Sequence, residues 1–462
     1  MSMNAARYTE EGLTTSAPQN TNIRWFVCAL LFAATTINYM DRSVFALIEP
    51  LLHKLPFMGW DFTKDNAHQT VFDDNFGNIV ICFQIAYGVG FLFAGRIIDK
   101  LGTKVGYAFA IGIWAFSSMS HSLVFSVAGF CLARVFLGIG ESGNFPAAIK
   151  ATSEWFPTEE RAKAVGIFNS GSNISSIIAP ALVALVTAKW GWRAAFITTG
   201  SMGTIWLVVW LCFPYNRLRR GSTQTQANLE ADFAISSSNG GDKTLPYSVL
   251  LQRPGLYAFS IGKALTDGVW WFYLFYLPEF LNRNYGLNLR QEYCYLVTVY
   301  GVSSVGSIAG GWLSGFLINR GHTVNFGRKI TMLICALLVL PVVFVPHLGG
   351  LFPNNAWPAT ILIALAAAAH QGWSANLFST PGDMFPSTAV STVVGVGGAM
   401  GALGGAAFTW IVKRNLSLHQ LLVFTMAAAA YIVSLVIFQI LVPRLGIISH
   451  PNDEPPTDSA LA

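Results

Sequence analysis

Asp41 and Arg42 stand side by side in NYMDR, Asn38 to Arg42, inside an apolar run that opens at Trp25. An acid or a base at the centre of a bilayer costs roughly 2.5–3.5 kcal/mol, so such residues persist mainly where they face a protein interior or a water-filled path. On a helix, Asn38 and Tyr39 precede Arg42 by four and three residues and share its face, whereas Asp41 is turned by about 100°. One neighbour can therefore take an anion while the other holds a proton. A permanently paired structural couple would use the same two residues.

Further along, ARVFLGIGESGNFPAA carries Arg134 and Glu141 seven residues apart. They return to one face but are separated by about 10 Å of helical rise, too far for a direct salt bridge. Each then needs a partner from elsewhere, and Asp41 is the natural one for Arg134. A carboxylic acid in a dehydrated site can keep its proton near neutral pH, which suits Glu141 and Asp41 to proton transfer. Gly138, Gly140 and Gly143 thin the same helix so that another can lie against it.

Three other apolar runs hold polar constellations. GKALTDGVWWFYLFYLPEFL sets Lys263, Asp267 and Trp270 on an i, i+4, i+7 stripe. The lysine and aspartate can simply neutralise one another, leaving Trp270 to touch ligand, while Trp271 and Tyr273 read as members of an interfacial aromatic belt. AAAHQGWSANLFS brings His370, Gln371, Trp373, Ser374 and Asn376 into an alanine-rich helix, a cavity wall by their number. His370 taken alone reads as a satisfied interior histidine. Tyr87 shares a face with Gln84, and Asn169 with Asn173; any one of these polar residues alone would be ordinary interhelical packing.

The elements that must position these residues follow from composition. The chain of 462 residues is 53% hydrophobic and 11% charged, where a soluble domain would be about a quarter charged. Apolar runs near the roughly 20 residues of a spanning helix lie at 24–52, 77–98, 105–120, 123–148, 162–187, 194–213, 255–281, 293–318, 329–349, 357–381, 390–412 and 418–442. The expected fold is all-α, in the bilayer, with twelve helices in two six-helix halves: a tail at 1–22, a half at 23–213, a polar linker at 214–254, a half at 255–443 and a tail at 444–462. Placing the N-terminus inside puts 17 of the 28 Lys and Arg residues on the cytoplasmic side and 8 outside, so both termini are expected in the cytoplasm. The first 22 residues lack the apolar core of a signal peptide. The six cysteines fall in or beside the apolar runs with no CxxC spacing and imply neither disulfides nor a zinc site. With no HExxH or GxSxG, nothing points to an enzyme, a metal or a cofactor. The net charge of +5 reflects loop placement and says nothing for nucleic acid.

The halves echo each other. EWFPTEERAKAVGIFN at 154–169 aligns without gaps on DMFPSTAVSTVVGVGG at 383–398, and GRIIDKLG at 95–102 resembles GFLINRG at 315–321. Parallel repeats of this kind build secondary transporters whose site lies between the halves.

GRIIDKLGTK places Gly95, Asp99, Lys100, Gly102 and Lys104 at the junction of the second and third runs. Gly95 allows close helix approach, and Asp99 can meet neighbouring helix ends or bases. The stretch resembles the signature loop of the major facilitator superfamily. NYMDR, GESGNFPAAIKATSEWFPTEERAKAVGIFNSGSN, LTDGVWWFYLFYLPEFL, HQGWSAN and DMFPSTAV together resemble the hexuronate transporters of its anion:cation symporter family. That resemblance implies proton-coupled import of sugar acids by alternating access, by a monomer in a bacterial inner membrane. It implies protons carried at Asp41 and Glu141, Arg134 tuning Asp41, Arg42 holding the substrate carboxylate, and Tyr39 and Tyr87 near the sugar. Asn169, Ser172, Lys263, Trp270, His370, Gln371, Trp373 and Asn376 complete the expected substrate-facing set. Ser172 and Gly398 stand where aldonate carriers use a glutamine and an asparagine, and Gly268 where proline is expected in LTDPVWW. An organic-anion or phosphate-ester antiporter, or an uncoupled sensor or channel, would be the alternative functions.

Overall fold

A computed structural model describes residues 21–52, 55–58, 67–219, 244–287, 289–415 and 419–446. Much of the expected tails and of the polar linker lies outside the described residues. All twelve apolar runs fall on helices: α1 (Thr21–Leu47), α2 (Ala67–Leu101), α3 (Thr103–Ser120), α4 (Val127–Glu141), α5 (Asn144–Trp155), α6 (Thr158–Trp190), α7 (Trp192–Cys212), α8 (Pro254–Tyr285), α9 (Leu289–Asn319), α10 (Val324–Val339), α11 (Trp357–Met384), α12 (Ser387–Asn415) and α13 (Gln420–Leu441). Among the described residues, nine helices are long and apolar enough to cross a membrane. Large apolar side chains such as Phe93, Phe109, Phe116 and Ile440 cover the outer surface, as expected where lipid is the solvent.

The fourth run differs from expectation, being two helices rather than one. Pro146 has no N–H to return to the Ser142 carbonyl, and the Gly143 N–H instead donates to Gly140 O at 3.2 Å, a tightened turn. The glycines expected to thin this helix do so. A Cβ on Gly138 would stand 2.8 Å from Phe83 O of α2, and one on Gly140 2.5 Å from Trp114 N of α3.

Two seams join the halves, α2 against α12 and α6 against α9. Each is a backbone-to-backbone approach. A Cβ on Gly95 would collide with Ser391 O, and one on Gly395 with Phe91 O; a Cβ on Gly311 would collide with Ala162 O, and one on Gly166 with Ser307 O. The 154–169 and 383–398 repeat pairs Ala162 with Ser391 and Gly166 with Gly395. The partner of Gly95 is therefore Gly311, not Gly315, which corrects the sequence pairing of GRIIDKLG with GFLINRG by one helical turn. The counterpart of Asp99 becomes Gly315.

The residues of the signature loop lie at one end of the first seam. The Asp99 carboxylate accepts from Lys150 Nζ (2.7 Å), from Thr392 Oγ1 (2.6 Å) and from the backbone N–H groups of Ser391 (3.3 Å) and Thr392 (2.7 Å) near the start of α12. Gly102 holds φ +78°, a conformation that costs glycine little and other residues much. Lys104 Nζ donates to Phe213 O at 3.0 Å, and Lys100 is exposed. At the second seam, Asp383 accepts from Arg161 (2.5 Å) and Arg328 (2.9 Å), and Arg328 also donates to Thr158 O (2.7 Å) and Ser314 Oγ (2.7 Å).

Candidate functional site

A cavity lies between the halves. Its wall comprises Tyr39 and Arg42 from α1, Tyr87 and Phe91 from α2, Phe145 from α5, and Asn169 and Ser172 from α6. The second half contributes Lys263, Asp267, Trp270 and Trp271 from α8, His370, Gln371, Ser374 and Phe378 from α11, and Gly398 and Ala402 from α12. The helical period explains the selection: the α8 residues follow i, i+4, i+7, i+8 and the α11 residues i, i+1, i+4, i+8, each a single stripe.

Arg42 is held in an aromatic box. Its guanidinium carbon lies 4.8 Å from the Tyr39 ring centroid, 5.2 Å from Phe83 and 4.3 Å from Tyr87, distances at which a cation is attracted to a ring face. Behind it, Glu141 Oε2 accepts from Arg42 Nε at 3.0 Å, and Oε1 has no partner. The Arg42 side chain is 24% exposed and Glu141 0%, so the cation faces the cavity and the acid is screened by it.

The expected pairing of Asp41 with Arg134 is not formed. Asp41 is turned away from the cavity and accepts from Ser118 Oγ at 2.6 Å, leaving Oδ2 without a partner. Arg134 packs its guanidinium 4.4 Å from the Phe45 ring centroid, with Nε unpartnered. As expected, Arg134 and Glu141 do not pair directly. Asn38, expected on the Arg42 face, is fully buried with both amide atoms unpartnered.

In the second half, Lys263 Nζ lies 2.7 Å from Asp267 Oδ1, the neutralising pair anticipated by their spacing, and 3.9 Å from the Phe378 ring centroid. His370 Nδ1 lies 2.7 Å from Tyr431 Oη, and its ring stacks on Trp270 with centroids 5.3 Å apart. Across the halves, Asn169 Nδ2 donates to Gln371 Oε1 at 2.6 Å and Gln371 Nε2 to Asn173 Oδ1 at 3.5 Å. Ser172 Oγ donates to Asn169 O at 2.8 Å.

Two expected wall residues are elsewhere. Trp373 is fully buried with its ring edge-on to Tyr431, and Asn376 Nδ2 donates to Gly310 O (3.0 Å) and Gly372 O (2.9 Å). Both lie off the stripe through His370, Ser374 and Phe378, which no count of polar residues can reveal. Conversely, Trp271 belongs to the wall rather than to an interfacial belt. Asp267 was legible as a paired charge but not as a wall residue. Phe91, Phe145 and Phe378 gave no signal, being phenylalanines in apolar helices.

The sequence profile of the Major Facilitator Superfamily matches residues 31–409. The chain belongs to the major facilitator superfamily. It is 30% identical over 397 residues to the hexuronate transporter of Escherichia coli (strain K12), covering 84% of this chain and 87% of that protein. It is 28% identical over 352 residues to the galacturonate transporter of Dickeya chrysanthemi, covering 75% and 96%. The solved structure of the proton:xylose symporter XylE bound to 6-bromo-6-deoxy-D-glucose superposes with a TM-score of 0.75 at 14% identity, covering 92% of this chain and 97% of that one. The major facilitator fold is thereby established. The matched relatives of this superfamily member are membrane transporters, not enzymes, and those named here by sequence carry sugar acids.

Proposed function

We propose that the chain imports sugar acids, hexuronates foremost, by symport with protons. The observation that carries this reading is Arg42, presented to the cavity in an aromatic box with Glu141 buried behind it. A guanidinium offers a planar fork that matches a carboxylate bidentately. While Glu141 is ionised, it competes for that fork; a proton on Glu141 releases Arg42 to the substrate carboxylate. Proton and anion then enter the cavity together.

Asp41, hydrogen-bonded to Ser118 with one oxygen unmet, is the second proton carrier, and Arg134 acts on it through its field rather than by contact. Tyr39 and Tyr87 flank the carboxylate end. Trp270, backed by His370, offers a flat face to a pyranose ring, and Asn169, Ser172 and Gln371 supply polar groups. Trp373 and Asn376 support the wall from behind. The names of the relatives in Escherichia coli and Dickeya chrysanthemi favour hexuronates among sugar acids. In the same reading the halves at 23–213 and 255–443 rock about the seams in alternating access, with both termini in the cytoplasm and the monomer as the working unit.

The test is uptake by the purified protein in proteoliposomes. Addition of glucuronate outside should alkalinise the external medium as substrate enters. Collapse of the proton gradient should abolish accumulation against a substrate gradient. Accumulation that persists unchanged would remove proton coupling and favour exchange for an internal organic anion or phosphate ester.

A further inference from the structure

We infer that Asp267 is the group that reads the hydroxyl end of the substrate, and that its carboxylate bars sugar acids bearing a second carboxylate. This deepens the sugar-acid reading above and rests on it.

The inference starts from the order in which the two ion pairs meet the cavity. In the first half the base stands forward: Arg42 is 24% exposed and Glu141 0%. In the second half the acid stands forward: Asp267 is 20% exposed and Lys263 7%. The cavity is therefore positive where α1 contributes and negative where α8 does. Lys263 occupies Oδ1 of Asp267 from behind at 2.7 Å. Oδ2 has no donor among the described residues. It points toward α12 at Gly401, where any Cβ would collide with it, so the glycine leaves room for the carboxylate to stand there. Gly398 and Ala402 of α12 line the adjacent wall and carry no donor side chain.

An ionised carboxylate only accepts hydrogen bonds, and bonds from hydroxyl donors to it are short and strong. A sugar acid anchored by its carboxylate at Arg42 carries such donors at its other end. A six-carbon dicarboxylic acid carries a second anion there instead, which meets Asp267 before it can reach Lys263. Like charges set face to face in a partly dry site are a strong device for rejecting the wrong ligand. The other ionisable groups that share this cavity wall are Tyr39, Arg42, Tyr87, Lys263 and His370; Arg42 is taken by the first carboxylate and Lys263 by Asp267 itself.

The full chain in proteoliposomes provides the test, with labelled glucuronate and with unlabelled glucuronate and glucarate as competitors. Wild-type protein should bind glucarate at least about ten-fold more weakly than glucuronate, a difference of about 1.4 kcal/mol. Asp267→Asn should weaken glucuronate about ten-fold through loss of a charged acceptor, while the ratio of glucarate to glucuronate affinity rises at least ten-fold. Because that variant leaves Lys263 unpaired, the double variant D267N/K263Q carries the same test with the pair removed together, and its ratio should also rise, by less. Equal wild-type affinity for the two acids, or a ratio unmoved in both variants, overturns the inference while leaving the sugar-acid reading intact. Wild-type protein that takes up neither acid overturns the reading itself.

Discussion

The cavity and the Asp99–Asp383 end of the seams both bury charge, but in opposite manners. At the seams each acid is saturated: Asp99 has four donors, and Asp383 is shared by two arginines. On and behind the cavity wall each charge has at most one charged partner, and behind the first half's wall polar atoms are left over, among them Glu141 Oε1, Asp41 Oδ2, Arg134 Nε and both amide atoms of Asn38. A buried polar atom without a partner costs about 1–3 kcal/mol. A saturated acid holds elements together; an unsaturated one retains capacity for a proton, an anion or a new neighbour. Unpartnered buried atoms occur elsewhere too, Arg161 Nε at the seam among them; what sets the first half apart is that its two membrane carboxylates, Asp41 and Glu141, each keep one oxygen unmet.

The strongest way to break this contrast is to neutralise the two incompletely bonded acids behind the first half's wall. Asp41→Asn and Glu141→Gln keep shape and remove the titratable group, so accumulation should fall to the leak level while equilibrium exchange of substrate survives. Wild-type accumulation in both would take these residues out of the proton path. Next in size is Arg42→Lys, which keeps the charge and loses the fork; glucuronate affinity should drop about ten-fold or more, read by binding competition. Equal affinity of the unaltered protein for glucose and glucuronate would equally sink the role of Arg42.

A smaller effect is expected at the seam. Asp99→Asn removes the charge that α12 and Lys150 share, and should raise the reactivity of a cysteine placed on the seam by a few-fold, as a lost charged hydrogen bond of about 1.5–3 kcal/mol is partly recovered from water. Substrate affinity should change little, unlike in the cavity variants. The smallest effect belongs to Ser172→Gln, which should shift preference toward galactonate by a few-fold in competition assays, one added amide contact in a wall already in place. Preference of the unaltered protein for galactonate over galacturonate would break the pocket argument.

Much of this was legible in the residues. Apolar runs located the long helices, though not the short ones at 215–219 and 247–250 in the polar linker, and charges in apolar sequence pointed to Arg42 and Lys263 on the cavity wall, because both signals arise from desolvation costs that any sequence must respect. Lys263 with Asp267 followed from an i, i+4 spacing within one helix. The partner of Arg42 did not: Glu141 reaches it from another helix, and a helical wheel gives no information on how two helices rotate against each other. For the same reason the sequence points Asp41 to Arg134 rather than to Ser118, one of three serines in the last turn of α3. Trp373 and Asn376 sit a rotation of one or two residues off the wall on α11, and since every residue from Ala369 to Met384 is buried, the pattern of that stretch names no outside.

Gly315 in the place of Asp99 makes the two seams unlike in what bonds cross them. The first is crossed by a carboxylate bonded to backbone N–H groups of α12, and the second by an arginine–aspartate pair and an arginine on a backbone carbonyl. The Arg161–Asp383 pair is buried, where salt screens a charge pair much less than it does at the surface. The α6–α9 seam is thus closed by charge pairing between side chains where the α2–α12 seam is closed by main-chain donors, and a substitution that removes the Arg161 charge acts on one seam alone.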